Sequence, residues 1–354
     1  MLEHGGNLRD AIARFGRPRE DWLDLSTGIN PQPYTAPVIA AEAWHRLPEE
    51  CSALSAAAEA YYGAPQLLAV AGTQAAIQAL PRLRPASRVV VAAPAYAEHA
   101  HRWAQAGHAV REVAHEKLGS AVAECDVMVI CNPNNPTGAT VAPELLLDWA
   151  AQLALRQGWL IVDEAFGDTT PHLSVAACSD RRGLIVLRSV GKFFGLAGLR
   201  LGFVAAHPTM LLTLADILGP WAVSGPAQEI GRAALADRSW QEAMRSQLLG
   251  AGARLHDLLA SHGVDASGSA LFQWWPEPEA EAFWQHMAQR GIWVRLFTRG
   301  ALGVRLGLPL DETGWQRLQR ALEEWTESAK ALKLKAGQFQ EGNSKRATGE
   351  RQLS

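Results

Sequence analysis

Cysteine is scarce in this chain. The four that occur in 354 residues, Cys51, Cys125, Cys131 and Cys178, lie in no metal-ligand spacing and are expected to be reduced thiols serving as small core residues. An excess of one charge is missing too. The 33 Lys and Arg nearly balance the 36 Asp and Glu, for a formal charge of −3. That balance gives no support for a nucleic-acid partner or a membrane surface, both of which usually select a basic face. No apolar stretch reaches the ~18 residues of a membrane span, no charged-then-apolar leader opens the chain, and no internal repeat is present. These absences point to a soluble cytoplasmic protein, long enough for a large core and two lobes.

What is present changes along the chain. The first 40 or so residues are rich in Gly, Pro and Asn ("HGGN" at 4, "DLSTGINPQP" at 24) and predict an irregular arm. From about 50 to 215, short β-rich runs begin at 67, 88, 126, 158, 183 and 200, with helix-like stretches between them. The stretch 144–157, opened by Pro143, places Leu145, Leu146, Trp149 and Leu153 on one face. Strands that are apolar throughout and alternate with helices predict a mainly parallel sheet covered on both sides. Beyond about 225, longer helices with a few strands predict a smaller α+β lobe. There, Asp311 caps a helix whose stripe is Trp315, Leu318, Leu322 and Trp325. The last two dozen residues carry five basic and two acidic side chains and little apolar periodicity, the pattern of a disordered tail.

Ligands of open parallel sheets sit at the carboxyl ends of the strands, and here those ends carry chemistry. "AGTQ" after the run at 67 offers the amides of Thr73 and Gln74 and the Thr73 hydroxyl as a phosphate cup. "PAYAEH" brings Tyr96 as a flat face, and "CNPNNPTG" presents Asn135 on a stiff loop. "LIVDEAF" ends an apolar run in Asp163, whose burial requires a cation. "RSVGKFFGLAGLRLG" holds Ser189, Lys192 and Arg200; a lysine desolvated near Arg200 has a lowered pKa and can form an imine with an aldehyde. An aldehyde for Lys192, a phosphate for Thr73, Ser189 and Arg200, a ring for Tyr96, a hydroxyl for Asn135 and a cationic ring nitrogen for Asp163 together describe pyridoxal 5'-phosphate.

The ordered series "AGTQ", "PAYAEH", "CNPNNPTG", "VDEAF", "SVGKFFGLAGLRLG" and "GVRLGLP" resembles the class I/II aminotransferase family, fold type I of the pyridoxal-phosphate enzymes, over most of residues 4–320. The resemblance implies an α/β fold, with a seven-stranded, mainly parallel sheet in a large domain (46–218) and a smaller α+β domain (219–330). Residues 1–45 would be an amino-terminal arm joined to the small domain, and 331–354 the tail. It implies Lys192 as the Schiff-base lysine, Asp163 at the pyridine nitrogen and Asn135 at the ring hydroxyl. Gly72, Thr73, Ser189 and Arg200 would hold the phosphate, and Arg305 a substrate carboxylate through paired hydrogen bonds. Members are homodimers with shared active sites, and Tyr61, beside Tyr62, matches the tyrosine that reaches the neighbouring subunit's cofactor phosphate.

Two branches of that family act on phosphorylated amino compounds, the histidinol-phosphate aminotransferases and the threonine-phosphate decarboxylases of cobalamin biosynthesis. Arg295 resembles the second arginine that both share. "LEHGGN", "DLSTGINP" and "GPWAVSGPAQ" are similar to the decarboxylase branch, in which the histidine matched by His4 reaches the substrate phosphate. Phe166 in "DEAF" replaces the tyrosine usual in the aminotransferases. Gly28 departs from the pattern, standing where Asn is expected in "SxNINP". The expectation is a decarboxylase, with an aminotransferase and a non-catalytic, partner-binding relative as alternatives.

Overall fold

In a computed structural model of the chain, residues 5–298 and 300–328 are described; His4 and the tail lie outside them. The large sheet is built from β1 (Leu67–Val70), β2 (Arg88–Ala93), β3 (Ala109–Ala114), β4 (Val127–Cys131), β5 (Trp159–Asp163), β6 (Leu184–Ser189) and β7 (Gly202–Ala206). Its spatial order is β1-β7-β6-β5-β4-β2-β3. All neighbours pair in parallel except β7, which runs antiparallel to both β6 and β1. The interiors of β4 to β7 are buried at nearly every position, as strands covered by helices on both faces must be. Six of the seven strands are those predicted above. The seventh, β3, has the sequence AVREVA and is mostly exposed; it is an edge strand whose charged positions hide it from a search for apolar runs.

Helices close the sheet. Pro143–Ala154 starts at its proline and buries Leu146, Trp149, Ala150 and Leu153. Leu145 corrects the predicted stripe, because it is 43% exposed: adjacent helical positions are ~100° apart and cannot share a narrow face. The helix 312–328 is capped as expected, with Asp311 Oδ1 accepting from Gly314 N at 2.9 Å. It buries Trp315, Leu318 and Leu322.

A second, four-stranded antiparallel sheet comprises β8 (Ser267–Ser269), β9 (Phe272–Trp275), β10 (Arg295–Phe297) and β11 (Gly303–Gly307), in the order β10-β11-β9-β8. The amino-terminal arm adds a short parallel pairing, Leu23–Asp24 against Ile292–Trp293. It then crosses to the large sheet, where Asn30 N donates to Lys192 O at 3.0 Å and Asn30 Nδ2 to Phe193 O at 2.8 Å. One irregular segment therefore ties the smaller sheet to the turn that follows β6.

Behind the carboxyl edge lies a buried charge cluster. Arg188 Nη1 donates to Glu164 Oε2 at 2.5 Å and Nη2 to Asp168 Oδ1 at 3.0 Å, with the guanidinium 4.4 Å from the centroid of the Tyr62 ring. Removing one member of such a cluster strands the opposite charge in a dry interior. Arg188→Met is expected to destabilise the protein by about 3–5 kcal/mol, measured by urea unfolding of the purified chain at pH 7; a loss below about 1 kcal/mol would show that the two acids are solvated or protonated instead.

Candidate active site

The carboxyl ends of β4, β5 and β6 bring the predicted residues together. Asp163 closes β5, paired in register with Cys131 on one side and Leu187 on the other, and is 5% exposed. Its Oδ1 accepts from Ala165 N at 3.0 Å and its Oδ2 lies 2.9 Å from His99 Nε2. Burial alone would keep His99 neutral, but hydrogen bonds with Asp163 and Cys131 outweigh it and push the imidazole up to about 10. The hydrogen bond to Asp163 thus favours the protonated form of His99. The sequence reading passed over His99. The one available signal was its place in "PAYAEH", one turn beyond Tyr96 at the same sheet edge.

Lys192 sits in the turn after β6, followed by Phe193 and Phe194, which are sunk in the core and anchor it. Phe194 stacks on Trp240 with ring centroids 5.5 Å apart. Desolvation, then the charge of Arg305, lower the Lys192 ammonium to about 8; Asp163 pulls the other way, and Arg200 adds a smaller lowering. The lysine is thus part-neutral at physiological pH, as a nucleophilic amine needs to be.

The residues expected to form a phosphate cup lie together. Gly72, with φ +73°, precedes the helix Thr73–Ala79, and a Cβ built on it would stand 2.6 Å from Arg200 Nη2. Only a bare backbone lets the guanidinium approach so closely. Arg200 itself has φ +56° and donates through Nη1 to Ala197 O at 3.0 Å, and Ser189 Oγ accepts from Gly191 N at 3.1 Å. These groups, with Tyr96, Asn135, Asp163, Phe166 and Lys192, enclose a cavity of about 150 Å³. Tyr96 is held at its wall by a relay: its hydroxyl donates to Gln74 Oε1 at 3.2 Å, and Gln74 Nε2 donates to Glu98 Oε2 at 2.7 Å.

A second cavity of about 460 Å³ adjoins the first and shares Tyr96, Asn135 and Lys192 with it. Arg295 and Arg305 line it; they are register partners on β10 and β11 and so share one face of the small sheet. Arg305 is 6% exposed. Burial, then the charge of Arg295, lowers its guanidinium to about 9. It donates through Nη1 to Asn135 Oδ1 and through Nη2 to Ser26 O at 2.9 Å. Asn135 therefore already has an internal partner for its oxygen, leaving its Nδ2 donors for a ligand. Gly5 also lines this cavity.

Tyr61 lines neither cavity. Its hydroxyl is buried and its ring packs edge-on against Phe194, with centroids 5.5 Å apart. The Gly28 departure has a steric reason: a Cβ there would lie 2.8 Å from Phe272 Cδ1 and 3.0 Å from Phe166 Cε1. Position 28 has no room for the asparagine that the pattern leads one to expect.

Fold and site together define an α/β protein with a lysine-centred, anion-seeking pocket at the switch of a parallel sheet. The chain belongs to the aminotransferase class I and II family, whose model matches residues 43–321. It is 53% identical over 330 residues to the threonine-phosphate decarboxylase of Pseudomonas aeruginosa, covering 93% of this chain and 99% of that one. It is 45% identical over 328 residues to the threonine-phosphate decarboxylase of a Sinorhizobium species, covering 91% and 97%. Among solved structures, the histidinol-phosphate aminotransferase from Clostridium acetobutylicum superposes with a TM-score of 0.75 at 19% identity, covering 86% of this chain and 99% of that one. That likeness speaks for the fold. Among the described residues no helix is long and apolar enough to cross a membrane.

The charge environment of Lys192 makes a direct prediction. Competitive acylation of the cofactor-free protein should show Lys192 reacting with a midpoint near pH 8, well below an ordinary lysine. Because Arg305 contributes to that lowering, Arg305→Met should move the midpoint upward; an unchanged or lower midpoint would contradict the electrostatic coupling.

Proposed function

We propose that this chain is a pyridoxal-phosphate-dependent decarboxylase that converts L-threonine O-3-phosphate to (R)-1-amino-2-propanol O-2-phosphate, the aminopropanol unit of the corrinoid side chain. The observation that carries the reading is the register pair Arg295 and Arg305, set on one face beside Lys192. Two cations flanking an amine-reactive lysine suit a substrate with a carboxylate and a phosphate on either side of its amino group. The high identity with decarboxylases along nearly their whole length supports the same substrate.

The donor set fits the cofactor. The cup between Gly72 and Arg200 has a closeness that a side chain would fill, and the amides of Thr73 and Gln74, with Ser189 and Arg200, suit a phosphate dianion. Tyr96 offers a face to the ring, Asn135 Nδ2 a donor for the ring hydroxyl, Asp163 a carboxylate for the pyridine nitrogen and Lys192 an amine for the aldehyde. When bound, the cofactor supplies a sink for the electron pair left at the substrate's α-carbon. Asp163, fixed by its 2.9 Å contact with His99, would face the pyridine nitrogen and favour positive charge there. Arg305 and Arg295 orient the substrate's anionic groups, with His4 as a further partner of its phosphate. The α-carbon–carboxylate bond breaks, carbon dioxide leaves, and Lys192 Nζ delivers a proton to the α-carbon. Phe166 gives the cavity beside Lys192 an apolar wall.

The same reading includes a homodimer. Val38, Trp44, Leu47 and Trp221 are 59–101% exposed, and they lie on two stretches that touch where Ala43 meets Gly225. Large apolar side chains so exposed favour burial against another surface, here a second copy. Tyr62 is buried under Arg188 and Tyr61 is the less buried of the two, so Tyr61 is the one that serves the neighbouring cofactor, by turning its hydroxyl outward from the packing against its own chain. Tyr61→Phe is expected to weaken cofactor affinity about tenfold; unchanged affinity, or a protein that sediments as a monomer, would contradict the shared site.

The central test is chemical. Purified protein loaded with pyridoxal phosphate should release carbon dioxide from L-threonine O-3-phosphate and lose that activity in Lys192→Ala. If it instead passes an amino group between histidinol phosphate and 2-oxoglutarate, the aminotransferase reading replaces this one. A protein with no borohydride-sensitive visible absorbance, indifferent to Lys192→Ala, would be a binding relative.

A further inference from the structure

Behind the substrate cavity, two rings and one glycine meet. Phe166 and Phe272 pack edge to face with centroids 5.0 Å apart and planes at 82°. Each carries one of the site's cations: Lys192 Nζ is 5.4 Å from the centroid of Phe166, and the Arg305 guanidinium 5.1 Å from that of Phe272. Gly28 completes the contact, with space for a Cβ denied by both rings. Gly28 belongs to the arm segment whose Ser26 O accepts from Arg305 and whose Asn30 N donates to Lys192 O.

We propose that the Phe166–Phe272 pair, seated on the bare backbone of Gly28, is the positioning device for the substrate-binding guanidinium, with Phe272 as the residue that sets the plane of Arg305. This rests on the decarboxylase reading above. The guanidinium is anchored by two hydrogen bonds, to Asn135 and Ser26, while its Nε–H is buried with no hydrogen-bond partner among the described residues. Two bonds from the terminal nitrogens leave the group free to tilt about its long axis. A ring face beneath it removes that freedom and repays part of the cost of burying the charge. The edge of Phe166 in turn fixes Phe272, and the Phe166 ring faces the Lys192 ammonium, so the amine and the carboxylate-binding group are referenced to one rigid pair. A side chain at position 28 would displace the rings and so tilt Arg305, which ties Gly28 to Phe272 as one unit. The absence of an asparagine at 28 is then part of the substrate specificity, because it replaces an amide contact by an aromatic wall.

Steady-state kinetics of the holoenzyme with L-threonine O-3-phosphate tests this through Phe272→Leu and Gly28→Ala, with thermal midpoint and cofactor absorbance recorded alongside. Phe272→Leu keeps apolar volume but loses the aromatic face, and is expected to raise KM about tenfold while kcat stays within about threefold. Gly28→Ala removes no side chain of the site, yet by displacing the two rings should raise KM to a similar degree. In the double variant the two effects should combine less than multiplicatively, since both act through Arg305. A KM within about twofold of wild type in both single variants, or effects that multiply in the double variant, would overturn the proposal. Should Phe272→Leu fail to fold, the KM of Gly28→Ala decides alone. Wild-type protein that releases no carbon dioxide would overturn the decarboxylase reading instead. The same comparison is then made on the KM for 2-oxoglutarate in the transamination assay, whose carboxylate Arg305 would equally hold.

Discussion

The strand β5 ends in Asp163, the next residue is the equally buried Glu164, and the rest of the site is arranged around the compensation of these two acids. Side chains alternate across a strand, so the two carboxylates leave on opposite sides of the sheet and need separate cations. Asp163 meets His99 on the ligand side at 2.9 Å; Glu164 meets Arg188 behind it at 2.5 Å. An unpaired carboxylate at either place would take up a proton or unfold the strand end. Because Arg188 comes from the neighbouring strand, the rear pair locks β5 to β6 just before Ser189. The front pair fixes the acid that faces the ligand. One structural requirement thus sets the positions of Asp163, Ser189 and the Lys192 turn together.

The front of the site has the opposite problem, too many cations. Lys192, Arg200, Arg295 and Arg305 converge on two joined cavities whose linings also carry the acids Asp163 and Glu112. Mutual repulsion and burial lower both Lys192 and Arg305. Such a surplus is unfavourable to folding unless ligands neutralise it, and a phosphate-bearing cofactor with a doubly anionic substrate does so. Binding energy from these anions is available to hold the scissile bond in place. The pocket is therefore strained electrostatically in the direction of its ligands, and the same strain keeps Lys192 near the pKa its chemistry needs.

The groups legible from the sequence are those whose chemistry is local. Lys192, Ser189 and Arg200 fall within a dozen residues of one another, and the glycines that make their turn announce a special backbone. Asp163 betrays itself as an acid at the end of an apolar run. His99, Phe272 and Arg188 were not legible, because their roles depend on partners 64, 106 and 24 residues away, brought close only by the register of the sheets. Edge strand β3 hid for a different reason. Its exposed Arg111 and Glu112 satisfy solvent rather than a core, and the apolar pattern by which strands are found is absent there.

Gly28 and Phe166 illustrate how two apparent departures from a motif can be one adaptation. Taken singly, the first removes a side chain that could touch a substrate and the second removes a hydroxyl that could touch the cofactor ring. In space they are adjacent, with Phe272 filling the volume that the missing side chain vacates. The exchange trades two polar contacts for a dry aromatic surface facing Lys192 and Arg305. In a low-dielectric pocket the electrostatic effect of each cation on a bound anion grows. Loss of hydrogen bonds at these two positions is thus compatible with tighter control at the reacting atom, since the remaining charges act over shorter, unscreened paths.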